Sequence, residues 1–396
     1  MASDVLWYII PRDGLYPWEP EGTREVDYDY LKQVALAVDR LGFSGALFAT
    51  DLHDVWVLGT AMAAHTRNLR PLLAVHPGLI SPTLLAKMAL TFDDLFDGRL
   101  IINVVNGDSR MMRAMGLFVD HDDRYDLSSE YWEVFKRLTA GEIVTFEGKY
   151  VHVENAGAGG GIAPVQLPHV PLWFGGSSEP GLQMAAKHID VYLSWGEPPA
   201  LLQEKINRLR SLAAQHEREI RFGMRVHLIV RDTEKEAWAH ADHLLRVTSA
   251  DTLERMRFMS EGADSVGAQR QFRAHGGHLP DQAKDIEVYP NVWPGMSLIR
   301  PGPGTALVGS TENVVERIQE FESLGIETFI LSGNPLLEEA YRVAETVLPK
   351  LGVRGPSSRL SNGSLLSLGT VPPNHTNDAK NEAETHAEER IGVTAQ

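Results

Sequence analysis

Cysteine is absent from all 396 residues. That excludes disulfides, thiolate metal ligands and cysteine nucleophiles, and it fits a reducing compartment. Positive charge is scarce, with 37 Lys and Arg against 53 Asp and Glu and a net charge of -16, so no nucleic-acid footprint is expected. Long apolar runs are missing too: none reaches the roughly 18 residues of a membrane span. Residues 1–10 lack the basic-then-apolar order of a secretory signal. The expectation is a cytoplasmic protein with neither a membrane nor a nucleic-acid partner. Several motifs are also wanting. There is no Gly-x-Ser-x-Gly elbow and no Walker loop, and Gly157 to Gly161 follows a hairpin pattern and precedes Pro164 rather than a helix, so it is no pyridine-nucleotide fingerprint. His76, His121 and His227 are far apart and form no His-x-x-x-His pair, so no metal site is expected.

What is present is an alternation of short apolar runs with longer stretches of helical spacing. Strands are predicted at Val5–Ile10, Gly45–Ala49, Leu72–Val75, Leu100–Val105, Leu172–Gly175, Val191–Ser194, Met224–Val230 and Thr328–Leu331. Helices are predicted at Tyr30–Leu41, Val57–His65, Leu84–Leu95, Tyr125–Leu138, Gly181–His188, Leu201–His216, Glu234–Arg246 and Thr311–Leu324. Eight such units favour an α/β fold of the (β/α)8 TIM-barrel type with insertions; a doubly wound sheet is the alternative. Asp27 or Asp29 can cap the first helix, and Pro82 and Gly98 bracket the third. Ile143–Phe146 and Tyr150–Val153 read as an added hairpin, and Thr248–Gly309, residues 248–309, as a lid-like insertion carrying Arg300. The barrel domain is expected over residues 1–352. Residues 353–396 form a polar tail, flexible or packed on a partner subunit, in which Leu360, Leu365, Leu366 and Leu368 stand out as possible tethers.

In a barrel of this kind the chemistry gathers at the C-terminal strand ends. These ends deliver Arg12, His53, His76, Asn106, Ser177, Ser178, Trp195, Arg225, His227 and Asn334. Arg225 and His227 are two apart on one strand and share a face, so a cation and an imidazole point together from a segment fit for burial. Such a cation needs an anionic partner, either a neighbouring carboxylate or a ligand. Trp173-Phe174-Gly175-Gly176-Ser177-Ser178 places two glycines and two hydroxyls at a helix start, which suits a phosphate, although a tight turn with a serine cap has the same pattern.

Taken together, Trp173–Ser178, Ser194-Trp195-Gly196-Glu197-Pro198-Pro199, Arg221–His227, Gly304-Thr305-Ala306-Leu307-Val308-Gly309, Leu331-Ser332-Gly333 and Glu338-Glu339-Ala340-Tyr341-Arg342 resemble the flavin-dependent alkanesulfonate monooxygenases of the bacterial-luciferase-like superfamily. Asp120–Tyr125 and Thr91–Arg99 resemble further segments of that superfamily, and the likeness runs from about Val5 to Leu351. The resemblance implies a two-component system in which an NAD(P)H:flavin reductase, a transient partner, supplies reduced FMN. Oxygen is the co-substrate, and a sulfonate is cleaved at its C–S bond to an aldehyde and sulfite. It also implies a homo-oligomer, a dimer or higher.

By the same resemblance, Gly176, Ser177, Ser178, His121, Tyr125 and Asn106 hold the FMN, while Arg225, His227 and Arg300 form the catalytic set. Arg225 and Arg300 would grip the sulfonate, with Trp195 and His227 completing the anion pocket and Arg225 also donating a proton. Departures bear on the substrate. Where the family carries a cysteine after the second strand and a tyrosine after the last, this chain has Leu52-His53 and Asn334, and Arg12 and His76 add polar groups. A pocket so lined favours a sugar sulfonate such as sulfoquinovose over a simple alkanesulfonate, a sulfone or an alkane.

Overall fold

Eight segments of strand-forming residues close into one ring in the computed structural model, which describes residues 4–50, 53–261 and 266–353. They are β1 Asp4–Ile9, β2 Gly45–Phe48, β3 Arg70–Val75, β4 Ile101–Val104, β5 Leu172–Phe174, β6 Val191–Ser194, β7 Arg221–Arg231 and β8 Ile326–Ser332. Every neighbouring pair is parallel. The order runs β6-β5-β4-β3-β2-β1-β8-β7, and β7 pairs back onto β6 to close the barrel. This is the expected TIM barrel, not a doubly wound sheet. Closure leaves no free edge among these eight strands, and the alternating side chains must therefore fill an inside and cover an outside.

The two faces separate as strand geometry requires. Leu6, Leu47, Leu72, Ile101, Trp173, Leu193 and Ile330 pack together within the barrel, with Tyr8 against them. Trp7, Phe48, Leu73, Ile102, Phe174, Met224 and Phe329 point outward into the helical layer. Each fully buried leucine or isoleucine contributes roughly 1.5–3 kcal/mol of transfer free energy. The helices start where the capping chemistry directs. Asp27, not Asp29, accepts the Tyr30 N–H at 2.7 Å, Asp54 takes the N–H groups of Trp56 and Val57 at 3.0 and 2.9 Å, and Ser81 takes that of Leu84 ahead of Pro82.

Three differences from the sequence reading follow from tertiary context. A helix at Leu336–Thr346 follows β8, whereas the last predicted helix, observed at Thr311–Ser323, precedes it. The missed helix begins beyond Asn334-Pro335 with no side-chain cap of its own. β7 is longer than expected, and its second half, His227–Arg231, runs on to pair with a further parallel strand, Ala306–Ser310. Val292–Trp293 adds antiparallel to that strand. The segment between β7 and β8 is thus partly an extension of the sheet, with helices at Glu234–Val247, Ala250–Glu261 and Val266–His275. The predicted hairpin is present as Val144–Glu147 paired antiparallel with His152–Ala156. Among the described residues no helix is long and apolar enough to cross a membrane. The tail from Arg354 onward, with its leucines, lies outside the described residues, as does Leu52.

Candidate active site

The interior face of β7 carries both Arg225 and His227 towards the C-terminal mouth, where a cavity of about 320 Å³ opens. Arg12, Arg225, Arg300, His227 and Asn334 line it, together with Tyr8, Thr50, Asn103 and Ser332. Among the described residues no acidic one is in its walls. Arg225 makes no ion pair with a described residue; its guanidinium instead lies over the Tyr8 ring, 4.2 Å from the centroid. Among the described residues, then, no carboxylate makes Arg225 a purely internal charge. Arg300 caps the short helix Met296–Ile299 and donates to the Pro301 carbonyl at 3.3 Å. Burial pushes its guanidinium down to about 10, with Arg225 adding to the shift and Tyr8 opposing it.

His227 is only 3% exposed, and its Nδ1 lies 3.0 Å from Ser332 Oγ on β8, its register partner. Burial, then the charges of Arg300, His240, Arg231 and Arg225, hold the imidazole well below its ordinary pKa. It enters the site neutral, able to exchange hydrogen bonds but adding no positive charge. Beneath Asn334 sits Asp13, with no solvent exposure, accepting from the Tyr30 hydroxyl and, at 2.9 and 3.0 Å, from Leu336 N–H. Asn334 Nδ2 is 3.5 Å from the same carboxylate.

A second cavity of about 290 Å³ adjoins the ends of β5 and β6, lined by Gly176, Ser177, Trp195, Glu197, Lys205 and Arg270 among others. Its polar wall is one connected network. Glu197 pairs with Lys205, accepts from Ser194 Oγ at 2.7 Å and from Arg270 at 2.5 Å, and Lys205 Nζ reaches Ser177 Oγ at 3.2 Å. Burial alone would raise Glu197, but Lys205, Ser194 and Arg270 outweigh it and keep the carboxyl ionised.

Of the residues expected to hold a flavin, Gly176 and Ser177 line this cavity, and Asn106, His121, Tyr125 and Ser178 are not in its lining. Asn106 is 6% exposed, yet neither its Nδ2 nor its Oδ1 has a hydrogen-bond partner. A buried amide with both ends unmatched fits a ligand that offers donor and acceptor together, as a flavin ring or ribityl chain does. Ser178 caps the helix Glu179–His188 by accepting the Gly181 N–H at 3.3 Å. Tyr125 stands near it, and His121 packs on Tyr125 with ring centroids 5.4 Å apart. The two glycines have packing reasons of their own: a Cβ on Gly175 would lie 2.7 Å from the Leu193 carbonyl, and one on Gly176 would strike the Phe174 ring. The serine cap of the alternative reading is thus present, and the unmatched Asn106 amide is what speaks for a ligand.

Not every predicted residue joins the anion cavity. Trp195 lines the second cavity instead, the chain turning directly after it at Gly196 with φ of +72°. His53 is exposed and borders neither cavity. His76 is partly buried with Nδ1 2.9 Å from the Val105 carbonyl, also outside both linings, and burial lowers its pKa. Sequence reasoning passed over Tyr8, Lys205 and Arg270. Tyr8 was legible in principle, since Leu6 and Tyr8 alternate with Trp7 and so share the inner face; Lys205 and Arg270 lie on helices whose approach to the mouth no local pattern encodes.

The luciferase-like monooxygenase family profile matches residues 14–328. Among solved structures, a riboflavin lyase determined with modified FMN and riboflavin shares 18% identity over 90% of this chain and 93% of its own, with a TM-score of 0.73. EDTA monooxygenase from Chelativorans sp. BNC1 shares 17% over 88% and 94%, with a TM-score of 0.68. A long-chain alkane monooxygenase shares 20% over 89% and 91%, also at 0.68. At these identities the structural likeness is one of fold.

Proposed function

Because the chain belongs to the luciferase-like monooxygenase family, we propose that it uses reduced FMN and O2 to cleave the C–S bond of an organosulfonate, releasing an aldehyde and sulfite, with a sugar sulfonate such as sulfoquinovose as its substrate. The observation that carries this reading is the cavity that Arg225 and Arg300 line together, whose described walls hold no carboxylate. Guanidinium forks match a three-oxygen anion and orient it through paired, charge-assisted bonds. The remaining polar lining, Thr50, Asn103, Ser332 and Asn334, supports hydroxyl recognition beyond the anion.

When bound, reduced FMN supplies the electrons that activate O2 for oxidation of the carbon bearing the sulfonate. Asn106 would satisfy its unmatched amide on that cofactor, and Ser177, Ser178, Tyr125 and His121 would take the phosphate end. Arg225 and Arg300 would hold the sulfonate, and Arg225 would also donate a proton or hydrogen bond to the reacting group. His227, kept neutral, orders the pocket through Ser332. Arg300 sits on the segment between β7 and β8, so movement of that segment would complete the site only over bound substrate.

The test is a sulfite-release screen with the full chain, FMN, NADH and a flavin reductase, across sulfoquinovose, octanesulfonate and an aminopolycarboxylate. Sulfite from sulfoquinovose at a higher kcat/KM than from octanesulfonate is expected. Preference for octanesulfonate would overturn the sugar assignment. Consumption of the aminopolycarboxylate without sulfite from any sulfonate would favour the reading that three guanidiniums serve carboxylates.

A further inference from the structure

Arg225 and Arg300 line one cavity, and none of the described walls offers a carboxylate to offset them. Tyr8, on the inner face of β1, lines it with them. The centre of its ring lies 4.2 Å from the Arg225 guanidinium carbon. Tyr8 itself is only partly buried.

An aromatic face is an unusual counterweight for a partly buried cation, and its chemistry is suited to the place. A carboxylate there would accept the arginine N–H hydrogens and compete with any incoming anion. A ring attracts the guanidinium through its quadrupole while accepting none of those in-plane hydrogens, so all remain available to a ligand. Stacking also fixes the plane of the fork, which a free four-bond side chain does not do for itself.

We propose that Tyr8 is the positioning residue of the anion site: its ring holds the Arg225 fork flat and leaves its N–H groups to a single sulfonate or other tetrahedral oxyanion. The proposal rests on the anion-binding reading of this cavity and deepens it.

The test is calorimetric titration of the full chain, without flavin, with inorganic sulfate and with methanesulfonate, combined with a mutant cycle. Arg225→Ala is expected to abolish or strongly weaken binding of both probes. Tyr8→Leu is expected to weaken it about tenfold and to have almost no further effect in the Arg225→Ala background. Tyr8→Phe keeps the ring and is expected to bind both probes nearly as tightly as the unaltered chain. With a sulfonate that is turned over, Tyr8→Leu raises KM and Tyr8→Phe does not. If Arg225→Ala weakens binding and Tyr8→Leu does not, the positioning role is wrong and the anion site stands. Additive losses of Tyr8→Leu and Arg225→Ala would also overturn it. If Arg225→Ala has no effect, the anion-binding reading fails first. Should Tyr8→Leu not fold, Tyr8→Met takes its place in the same cycle with Arg225→Ala, since a flexible thioether chain fills the space without a ring.

Discussion

Asp13 illustrates how a single side chain can set the polarity of a site it does not touch. Every partner it has is a donor: the Tyr30 hydroxyl, the Leu336 N–H and the Asn334 amide, with Arg24 3.9 Å away. Burial raises its pKa, and those partners, Tyr30 first, pull it back. A carboxylate held in this way fixes the Asn334 amide with nitrogen inward, so its oxygen is the atom left to accept from a substrate hydroxyl. Asn334→Leu is therefore expected to lower kcat/KM for a hydroxylated sulfonate about tenfold while changing that for an alkylsulfonate little; parallel assays of the two give the ratio. Equal losses on both would remove Asn334 from specificity. Asn334 was visible in the sequence as a strand-end residue, but its orientation was not, because Asp13 lies 321 positions away.

At the scale of elements, the loop after β1 grips the start of the insertion that carries Arg300. Trp18 Nε1 donates to Thr248 Oγ1 at 2.9 Å, and Glu19, itself buried, accepts from Ser249 N–H at 2.9 Å and its hydroxyl at 3.0 Å. Trp18 also lines the anion cavity. Cutting this grip should loosen the far end of the same segment. Glu19→Ala is expected to raise KM several-fold and to speed protease cleavage within Ala250–His275, with thermal unfolding of the barrel nearly unmoved; unchanged cleavage and KM would show that the insertion is held elsewhere. The sequence identified the insertion from its prolines and length, yet not the strand Ala306–Ser310 within it. That strand exists because the second half of β7 extends beyond the barrel and needs a partner for its backbone groups. The helix Leu336–Thr346 was missed for a related reason: Asp13, not a local cap, takes its first N–H.

Across the whole molecule, buried histidines make stability depend on pH. Burial lowers His188 to about 2 and His240 and His275 to about 4, and it lowers His76 and His227 as well. These rings stay neutral in the folded chain, whereas the unfolded chain protonates them near pH 6.5, so the unfolded state binds more protons below that value. Stability is thus unaffected by them above about pH 6.5 and falls as pH drops from there, by up to about 1.4 kcal/mol per pH unit for each such group. Thermal unfolding between pH 7 and 5 should show the midpoint falling, and His188→Gln should flatten the slope; a flat wild-type profile would contradict the burial. A second prediction at this scale follows from the lack of a nicotinamide fingerprint. NADH and FMN without a reductase should give no turnover, while FMN reduced chemically under controlled oxygen should restore it, as sulfite release would show.

The sequence by itself determined the barrel. Eight apolar runs at regular spacing, each with helical stretches between, have few ways to bury both faces, and the closed ring is the one seen. It also determined that Arg225 and His227 share a face, since strand period is local geometry. Only the tertiary structure decided what those side chains meet. Tyr8 under Arg225, Ser332 beside His227, Asp13 behind Asn334 and the removal of Trp195 to a neighbouring cavity all join residues distant in the chain. Such pairings depend on strand register and on loops crossing the mouth, and a pattern that repeats every two or four residues carries no information about them.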